Sequence, residues 1–280
     1  MKSLNNRVHL TTSCRDSDYI PKSSNANAGS VVITETGDRV QVMHNGCMVL
    51  ADAYYSSFQT EIIQDLRGHH EPQEEKVFYE VLKHVKPGAV MLELGAYWSY
   101  YSLWFQHSID RSVNYMIEPT QENLEVGMKN FELNNKKGTF IQAFIGKQCD
   151  NATHPKTITV DEIMQLYNLN YLDILHSDIQ GHEYDMLMGA EDTLVNKKVK
   201  FIFISTHGLR VHYQCIKLLK KYGFHILASH TPRESYSIDG LIAATSDLEY
   251  QREIPISKNN ISFTTLVKSL VAQSLTIFMP

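Results

Sequence analysis

The stretch VMLELGAYWSYYSLWF, residues 90–105, decides the fold. Its first half, 90–94, is an apolar run after Pro87-Gly88, long enough for a buried strand and too short for a helix. Gly95-Ala96 ends this strand, and an apolar pattern with helical spacing starts after Ser99. The stretch therefore predicts a strand, a tight glycine turn and a helix. Such a unit presents free backbone N–H groups to a ligand at the start of the helix.

Strand-like and helix-like segments alternate from residue 90 onward. Strands are predicted at 90–94, 113–118, 139–145, 172–178 and 200–206, and helices at 99–108, 121–134, 160–168, 183–195 and 210–222. This order is typical of an α/β fold with a doubly wound parallel sheet and helices on both faces. Two further segments, 224–230 and 239–244, predict a final antiparallel hairpin.

The N-terminal part has a different pattern. Three short apolar runs separated by Thr36-Gly37-Asp38 and Asn45-Gly46 predict a small β meander, and two helical patterns follow it. Residues 1–28 are polar and rich in Ser, Asn and Thr, which favours a flexible lead-in. We therefore expect four parts: the lead-in (1–28), a meander with a helical cover (29–86), the α/β domain (87–249) and a C-terminal extension with a helical pattern (250–280).

Composition and charge exclude several classes of protein. The 280 residues carry a net charge of −5 and no basic run, which argues against a nucleic-acid partner. No segment resembles a membrane span or the apolar core of a signal peptide, so we expect no membrane partner. The four cysteines lack metal or redox spacing, as in reduced thiols of a cytoplasmic protein. Homo-oligomerisation stays open.

Glu118 is a candidate ligand-binding residue because ligands of doubly wound sheets bind at the carboxyl ends of the strands. It ends the second strand about 20 residues after the glycine turn, where an acid holds the ribose diol in nucleoside-binding folds. The glycine-rich dinucleotide fingerprint and the P-loop are absent, and Tyr97 and Trp98 leave little room for a pyrophosphate. The turn therefore favours a phosphate-free nucleoside such as S-adenosylmethionine over NAD or ATP.

Three titratable residues end the fourth and fifth predicted strands. His176 and Asp178 are two positions apart and so face the same side of a strand, and His207 ends the neighbouring strand. They could form a general base with its orienting carboxylate, or a metal site completed by a residue from 69–71. Buried structural histidines are the third interpretation. Glu183 opens the next helix, where we expect it only to favour the helix N-terminus electrostatically.

Four stretches resemble, in order, motifs of the FkbM family of S-adenosylmethionine-dependent methyltransferases. They are ELGAYWSYYS (93–102), IEPTQENLEVGMKNFELNN (117–135), TVDEI (159–163) and LDILHSDIQGHEYDMLMGA (172–190). The resemblance covers the chain from about Glu74 to Ala244. It implies a class I methyltransferase fold, Rossmann-like, with seven strands of which the last is antiparallel.

The resemblance also implies roles for individual residues. By this resemblance, Glu93, Gly95 and Ala96 would line the methionine end of the cofactor, and Ser102 would lie just inside the following helix. Glu118 would hold the ribose. Ala143 and Phe144 would flank the adenine ring, and Asp178 would lie near the methyl group. Of the aromatic residues, we expect Tyr97 at the pocket, and Tyr100 and Trp104 in the core. The sequence departs from the family at His176, where many members have Lys, and at Gln180, where many have Glu.

These features predict an O-methyltransferase that acts on a hydroxyl of a saccharide or a related small metabolite. His176 or His207 would be the base, and Asp178 would orient the base or the substrate. A divalent metal could instead lower the pKa of the hydroxyl. Two alternatives remain: a metal-dependent enzyme of another class that uses His176, Asp178 and His207, and a non-catalytic binding protein on a methyltransferase fold.

Overall fold

The computed structural model describes residues 2–21 and 26–259. The chain starts with helix α1 (Lys2–Ser13) and a 3-10 turn (Asp16–Tyr19). An antiparallel meander of β1 (Val31–Ile33), β2 (Arg39–Val42) and β3 (Met48–Leu50) follows, and then helices α2 (Ser57–Asp65) and α3 (Pro72–Leu82). The predicted meander and the two helices after it are therefore confirmed.

The flexible lead-in predicted for 1–28 is wrong over residues 2–19, which are mostly helical. The hydroxyl of Thr11 donates to the Tyr236 carbonyl at 2.7 Å, and the Arg7 guanidinium lies 5.3 Å from the centre of the Phe58 ring. These partners are distant in sequence. Composition predicts poor order for such a polar segment, but tertiary contacts fix it in place.

The rest of the chain alternates between strands and helices. The strands are β4 (Val90–Leu94), β5 (Val113–Glu118), β6 (Thr139–Gln142), β7 (Phe144–Ile145), β8 (Thr157–Ile158), β9 (Leu172–Ser177), β10 (Val199–Thr206), β11 (His225–His230) and β12 (Gly240–Thr245). The helices are α4 (Tyr100–Ser108), α5 (Gln121–Leu133), α6 (Val160–Leu166), α7 (Glu183–Met188), α8 (Glu191–Val195) and α9 (Leu209–Lys221).

A seven-stranded sheet with the order β11-β12-β10-β9-β4-β5-β6 forms the centre of the molecule. Strand β12 is antiparallel to both of its neighbours, β10 and β11, whereas the other neighbouring strands are parallel. The fold is therefore the predicted Rossmann-like sheet with an antiparallel last strand. The chain order reverses beside β4, so the ends of β4 and β9 form the crevice in which ligands of such sheets bind.

The strand predicted at 139–145 is divided in the structure. It leaves the main sheet after Gln142, and Phe144-Ile145 instead pairs with Thr157-Ile158 in a separate two-stranded sheet. The backbone N–H of Phe144 donates to the Lys156 carbonyl at 2.9 Å, which fixes this new pairing. A continuous apolar pattern conceals such a change of partner, because both halves are extended.

The helix predicted at 183–195 is also divided, at Gly189-Ala190. A Cβ atom on Gly189 would lie only 2.3 Å from the Gly146 carbonyl oxygen, so the backbone passes too close to that loop for a longer side chain. The helical pattern predicted near the end of the C-terminal extension lies outside the described residues. Among the described helices, none combines the length and the apolar character needed to cross a bilayer.

Apolar clusters cover both faces of the sheet. Met91 belongs to the cluster shared with the N-terminal elements, and the next residue, Leu92, belongs to the cluster on the other face. This alternation follows from the two-residue period of a strand. Tyr100 and Trp104 are buried in the first cluster, which confirms that they pack the core.

Candidate active site

A cavity of about 580 Å³ lies at the carboxyl ends of β4, β5 and β9. Most of the residues predicted to bind the cofactor line it, namely Glu93, Gly95, Ala96, Tyr97, Glu118, Ala143, Phe144 and Asp178. His176 also lines the cavity, whereas Ser102 and His207 are not among the lining residues. The cavity therefore lies at the carboxyl ends of the strands, where the sequence predicted the ligand site.

Gly95 allows the ends of β4 and β9 to touch. Its φ is +70°, and a Cβ atom there would lie 1.8 Å from the Asp178 carbonyl oxygen. The backbone N–H of Asp178 donates to the Leu94 carbonyl at 2.9 Å, which holds the two strand ends together. A larger residue would push Asp178 out of position, so the glycine serves both the turn and the site.

Glu118 is fixed at the cavity wall by backbone donors. Its Oε2 accepts the N–H of Tyr97 at 3.2 Å, and its Oε1 accepts the N–H of Thr120 at 3.0 Å and the side-chain amide of Asn123 at 3.2 Å. A carboxylate has about four acceptor positions. The carboxylate therefore keeps capacity for a hydroxyl of a ligand.

Ser102 lies in the first turn of α4, as expected, but it is not among the residues that line the cavity. It is fully buried, and its backbone N–H donates to Glu93 Oε2 at 3.1 Å. It supports the Glu93 carboxylate, whose pKa is raised by burial.

His176 lines the cavity, but its ring is already paired. Its Nε2 lies 2.7 Å from Glu74 Oε1 of α3, and its ring centre lies 4.4 Å from that of Tyr101. Burial lowers the pKa of His176, but the bond to Glu74 and the nearby carboxylates outweigh this effect and raise it. Because Glu74 already occupies its Nε2, this nitrogen is not free to accept a proton from a substrate, which argues against the predicted role of His176 as base.

His207 lies behind Asp178 and is surrounded by carboxylates. Its Nε2 is 3.3 Å from Asp178 Oδ1 and 3.2 Å from Asp239 Oδ1, and its Nδ1 is 2.7 Å from Glu183 Oε1. Glu183 is fully buried and also accepts the Gly181 N–H at 2.7 Å. Glu183, expected only to favour a helix N-terminus, is thus also the buried partner of His207.

His207, Asp178 and Asp239 influence the pKa values of one another. Burial raises the pKa of Asp178, with His207 opposing this rise and Asp239 adding to it. Burial lowers the pKa of His207, but the bond to Glu183 and the charge of Asp239 outweigh it and raise it. The pKa of Asp239 is raised to about 6, mainly by burial. His207 is therefore the cation among these residues, and Asp178 is the acid among them that lines the cavity.

The N-terminal cover (29–86) supplies one wall of the cavity. The sequence did not indicate which of its tyrosines would lie there. Tyr54 stacks on Trp98 with ring centres 4.3 Å apart and planes at 6°, and Tyr97 packs edge-on against Tyr54. Glu71 accepts a hydrogen bond from the Tyr101 hydroxyl at 3.3 Å. The polar character of 67–75 could have indicated that Glu71 belongs to the site. No feature of the sequence around Tyr54 indicated that this residue lines the cavity.

The cavity is acidic. Glu71, Glu93, Glu118 and Asp178 line it, and none of its described lining residues is a lysine or an arginine. Two histidines whose pKa values are raised, His70 and His176, also line the cavity, so carboxylates and imidazoles share its wall.

The strand order, with its antiparallel last strand, is that of a class I, Rossmann-like methyltransferase fold. Residues 149–226 match the family described as the Methyltransferase FkbM domain. This match lies within the stretch whose motifs resemble that family, and it supports an S-adenosylmethionine-dependent methyltransferase. No curated protein sequence matches the chain significantly.

Several solved structures are similar in fold. Precorrin-6y C5,15-methyltransferase from Geobacter metallireducens has 14% identity and a TM-score of 0.42, over 61% of this chain and 88% of that one. A putative tRNA (m1A22) methyltransferase from Streptococcus pneumoniae has 14% identity and a TM-score of 0.43, over 70% and 78%. M. capricolum TrmK in complex with S-adenosyl-homocysteine has 11% identity and a TM-score of 0.40, over 71% and 83%. Likeness at this level carries no argument about the substrate.

Proposed function

We propose that the protein transfers a methyl group to a hydroxyl of a saccharide or a related small metabolite bound in the acidic cavity. The observation that carries this proposal is the Asp178 carboxylate. It lines the cavity, and its Oδ1 lies 3.3 Å from the Nε2 of His207 behind it. Methyl transfer to a hydroxyl requires a group that accepts the hydroxyl proton, and Asp178 is in position to be that group.

The residues of the cavity fit S-adenosylmethionine. Gly95 and Ala96 leave the backbone accessible at the turn, Glu118 would hold the ribose, and Ala143 and Phe144 would flank the adenine. When bound, the cofactor supplies an electrophilic methyl group on a cationic sulfonium. The carboxylates of the wall favour that positive charge, and the described lining residues include no lysine or arginine that would attract a phosphate.

Asp178 is the proposed base, and His207 is the proposed positioning residue. A base is most efficient when its pKa is near the working pH, and burial moves the pKa of Asp178 in that direction. Glu183 fixes His207 from behind at 2.7 Å, so the imidazole orients Asp178 and limits the rise of its pKa. The sequence favoured a histidine as base and Asp178 as the orienting residue. The carboxylates around His207 argue instead for Asp178 as the base and His207 as the orienting residue.

The wall of the cavity supports a hydroxyl-bearing acceptor. Tyr54, Tyr55, Tyr97 and Trp98 give it aromatic faces, which can pack against the apolar face of a sugar ring. The carboxylates accept hydrogen bonds from hydroxyls. We assign the choice of acceptor to the N-terminal cover (29–86), because Tyr54, Tyr55 and Glu71 come from it. A cytoplasmic location is part of the proposal and agrees with four free cysteine thiols.

The metal-dependent alternative has less support. It requires His176, Asp178 and His207 to converge on one ion. His176 Nε2 is instead paired with Glu74, whereas His207 lies among Asp178, Asp239 and Glu183. Among the described residues, these three do not form a cluster of ligand atoms.

The test is methyl transfer from labelled S-adenosylmethionine to a panel of glycans and small alcohols, with cofactor binding measured by calorimetry. We expect Asp178→Asn to bind the cofactor but to lose about 100-fold or more in kcat, the usual contribution of a general base. Asp185→Asn, an exposed acid on α7 with a side chain 48% accessible, is the matched control.

Three results would count against the proposal. Unchanged kcat in Asp178→Asn, with cofactor still bound, would show that Asp178 is not the base. Transfer only to amine acceptors, offered as a second panel, would replace the hydroxyl class. Failure of the wild-type protein to bind the cofactor would overturn the proposal as a whole.

A further inference from the structure

A second group of ligand-type side chains lies in the N-terminal cover, outside the cavity lining. Ligand atoms of His44, His69 and Glu75 lie within 4.8 Å of one another, and all three residues are buried. His44 follows β2, His69 follows α2, and Glu75 lies in the first turn of α3. Three separate elements of the cover thus meet at one point.

His44 brings an unused buried nitrogen to this point. The residue is 5% exposed, and within the described part of the chain its Nε2 has no hydrogen-bond partner. Its ring stacks on that of His69, with centres 4.0 Å apart and planes at 13°. A buried polar atom without a partner is destabilising. A bound cation would satisfy this nitrogen.

Glu75 is oriented by its neighbours. Its Oε1 accepts the backbone N–H of His70 at 2.9 Å and lies 2.7 Å from His70 Nδ1. Its Oε2 is in contact with His69 Nδ1. One carboxylate oxygen is therefore held by His70, and the other contacts His69. Supporting contacts of this kind are typical of residues that ligate metals.

We propose that His44, His69 and Glu75 bind a divalent cation of the zinc type. Two imidazole nitrogens and one carboxylate oxygen are donors that Zn²⁺ accepts, with a water completing four ligands. Ca²⁺ and Mg²⁺ prefer oxygen donors only, so they fit this set poorly.

The ion would tie the meander to α3 and to the loop that follows α2. The next residues along that loop, His70 and Glu71, line the reaction cavity. The site would therefore fix one wall of the cavity without contacting the ligand. This role is independent of the methyl acceptor and of the proposed base.

The test uses full-length protein, treated with a chelator and then titrated with Zn²⁺ or Co²⁺. We expect about one Zn²⁺ per chain by elemental analysis, a visible Co²⁺ spectrum of tetrahedral type, and a higher melting temperature with Zn²⁺. His44→Ala and His69→Gln should each weaken binding at least about ten-fold and abolish the thermal shift. His154→Ala, an exposed loop histidine, is the control and should behave like wild type.

Two outcomes overturn the proposal. One is the absence of stoichiometric Zn²⁺ binding in the wild-type protein. The other is equal binding by the wild type and by His44→Ala and His69→Gln. Circular dichroism of the metal-free variants shows whether they fold. If His44→Ala does not fold, His69→Gln and the Co²⁺ spectrum of the wild type decide between the outcomes.

Discussion

At the scale of single residues, burial and the surrounding charged side chains set the pKa of Asp178. Burial has the largest effect on its pKa and raises it. His207 at the end of β10 lowers it, whereas Asp239 before β12 and Glu71 and Glu74 at the start of α3 raise it. Asp178 itself follows β9, next to His176. The balance of these charges determines the pH at which the proposed base is active.

We predict that His207→Gln moves the acidic limb of the kcat–pH profile to higher pH. A base must be deprotonated, so kcat falls as the pH drops through the pKa of Asp178. Loss of the His207 cation removes an influence that lowers this pKa, and an adjacent opposite charge is typically worth about 1 unit or more. The measurement is kcat across pH for wild type and variant.

The control for this experiment is His225→Gln, a partly exposed histidine of β11. It should leave the acidic limb in place. An unchanged limb in His207→Gln, with the cofactor still bound, would contradict the positioning role. A purely structural role of His207 would lower activity or stability without moving the limb.

Some of the lining residues have strained backbone conformations. Non-glycine residues with positive φ occur in three of the loops that line it: Tyr55 at 48°, Tyr97 at 40° and Gln180 at 55°. Such conformations cost about 1–3 kcal/mol each and persist where the surrounding structure imposes them. Tyr97 and Gln180 lie at the turns after β4 and β9, in agreement with the site assigned from the strand ends, whereas Tyr55 lies between β3 and α2.

At the scale of elements, the TVDEI motif (159–163) has a structural explanation. The Thr159 hydroxyl accepts the Glu162 N–H at 3.0 Å and so caps its own helix, α6. Asp161 caps a different helix: its carboxylate accepts the N–H groups of Asp192 and Thr193 in α8, at 2.9 and 3.0 Å. The Thr193 hydroxyl, which is fully buried, adds a third bond at 2.6 Å.

We predict that Asp161→Ala lowers the free energy of unfolding by about 2 kcal/mol, because three donors lose a charged acceptor. Denaturant unfolding at fixed pH measures the change. Glu122→Ala removes an exposed acid from the first turn of α5 and should change stability by less than about 0.5 kcal/mol. Equal effects of the two substitutions would show that Asp161 contributes only its charge near a helix N-terminus.

The sequence predicted most elements of the α/β domain, because strands such as β4, β9 and β10 are apolar runs bounded by turn residues, but it did not predict the two-residue strand β8. The two wrong element boundaries in this domain share one cause. Strand 139–145 and helix 183–195 are broken where the chain meets a neighbour, at the new pairing of Phe144 and at the close contact of Gly189 with Gly146. Periodicity reports which residues are buried and does not report such contacts.

At the scale of the whole molecule, the sequence predicted the half of the site that follows from strand ends. Glu118 and Asp178 end parallel strands, so the topology alone brings them to one edge of the sheet. Tyr54 and Glu71 reach the same cavity from the N-terminal cover, and Glu183 lies buried behind His207. Those positions depend on long-range packing, for which the local sequence carries no signal.

The same long-range packing joins the two ends of the described chain. Asp16, 1% exposed, forms an ion pair with Lys76 of α3 at 3.1 Å and accepts the backbone N–H of Ser257 at 2.7 Å. We predict that Asp16→Ala lowers the free energy of unfolding by about 3 kcal/mol or more, because it leaves a buried ammonium group unpaired. Urea unfolding followed by circular dichroism measures this change.

A double-mutant cycle separates this effect from a general loss of packing. Asp16→Ala combined with Lys76→Met removes both charges and should recover much of the lost stability, since a buried pair replaced by apolar groups is often nearly neutral. Glu80→Ala breaks the exposed pair with Lys83, at 2.6 Å, and should cost less than about 1 kcal/mol. If the double variant is as unstable as the sum of its single variants, the ion pair is not what holds the N-terminal segment to α3.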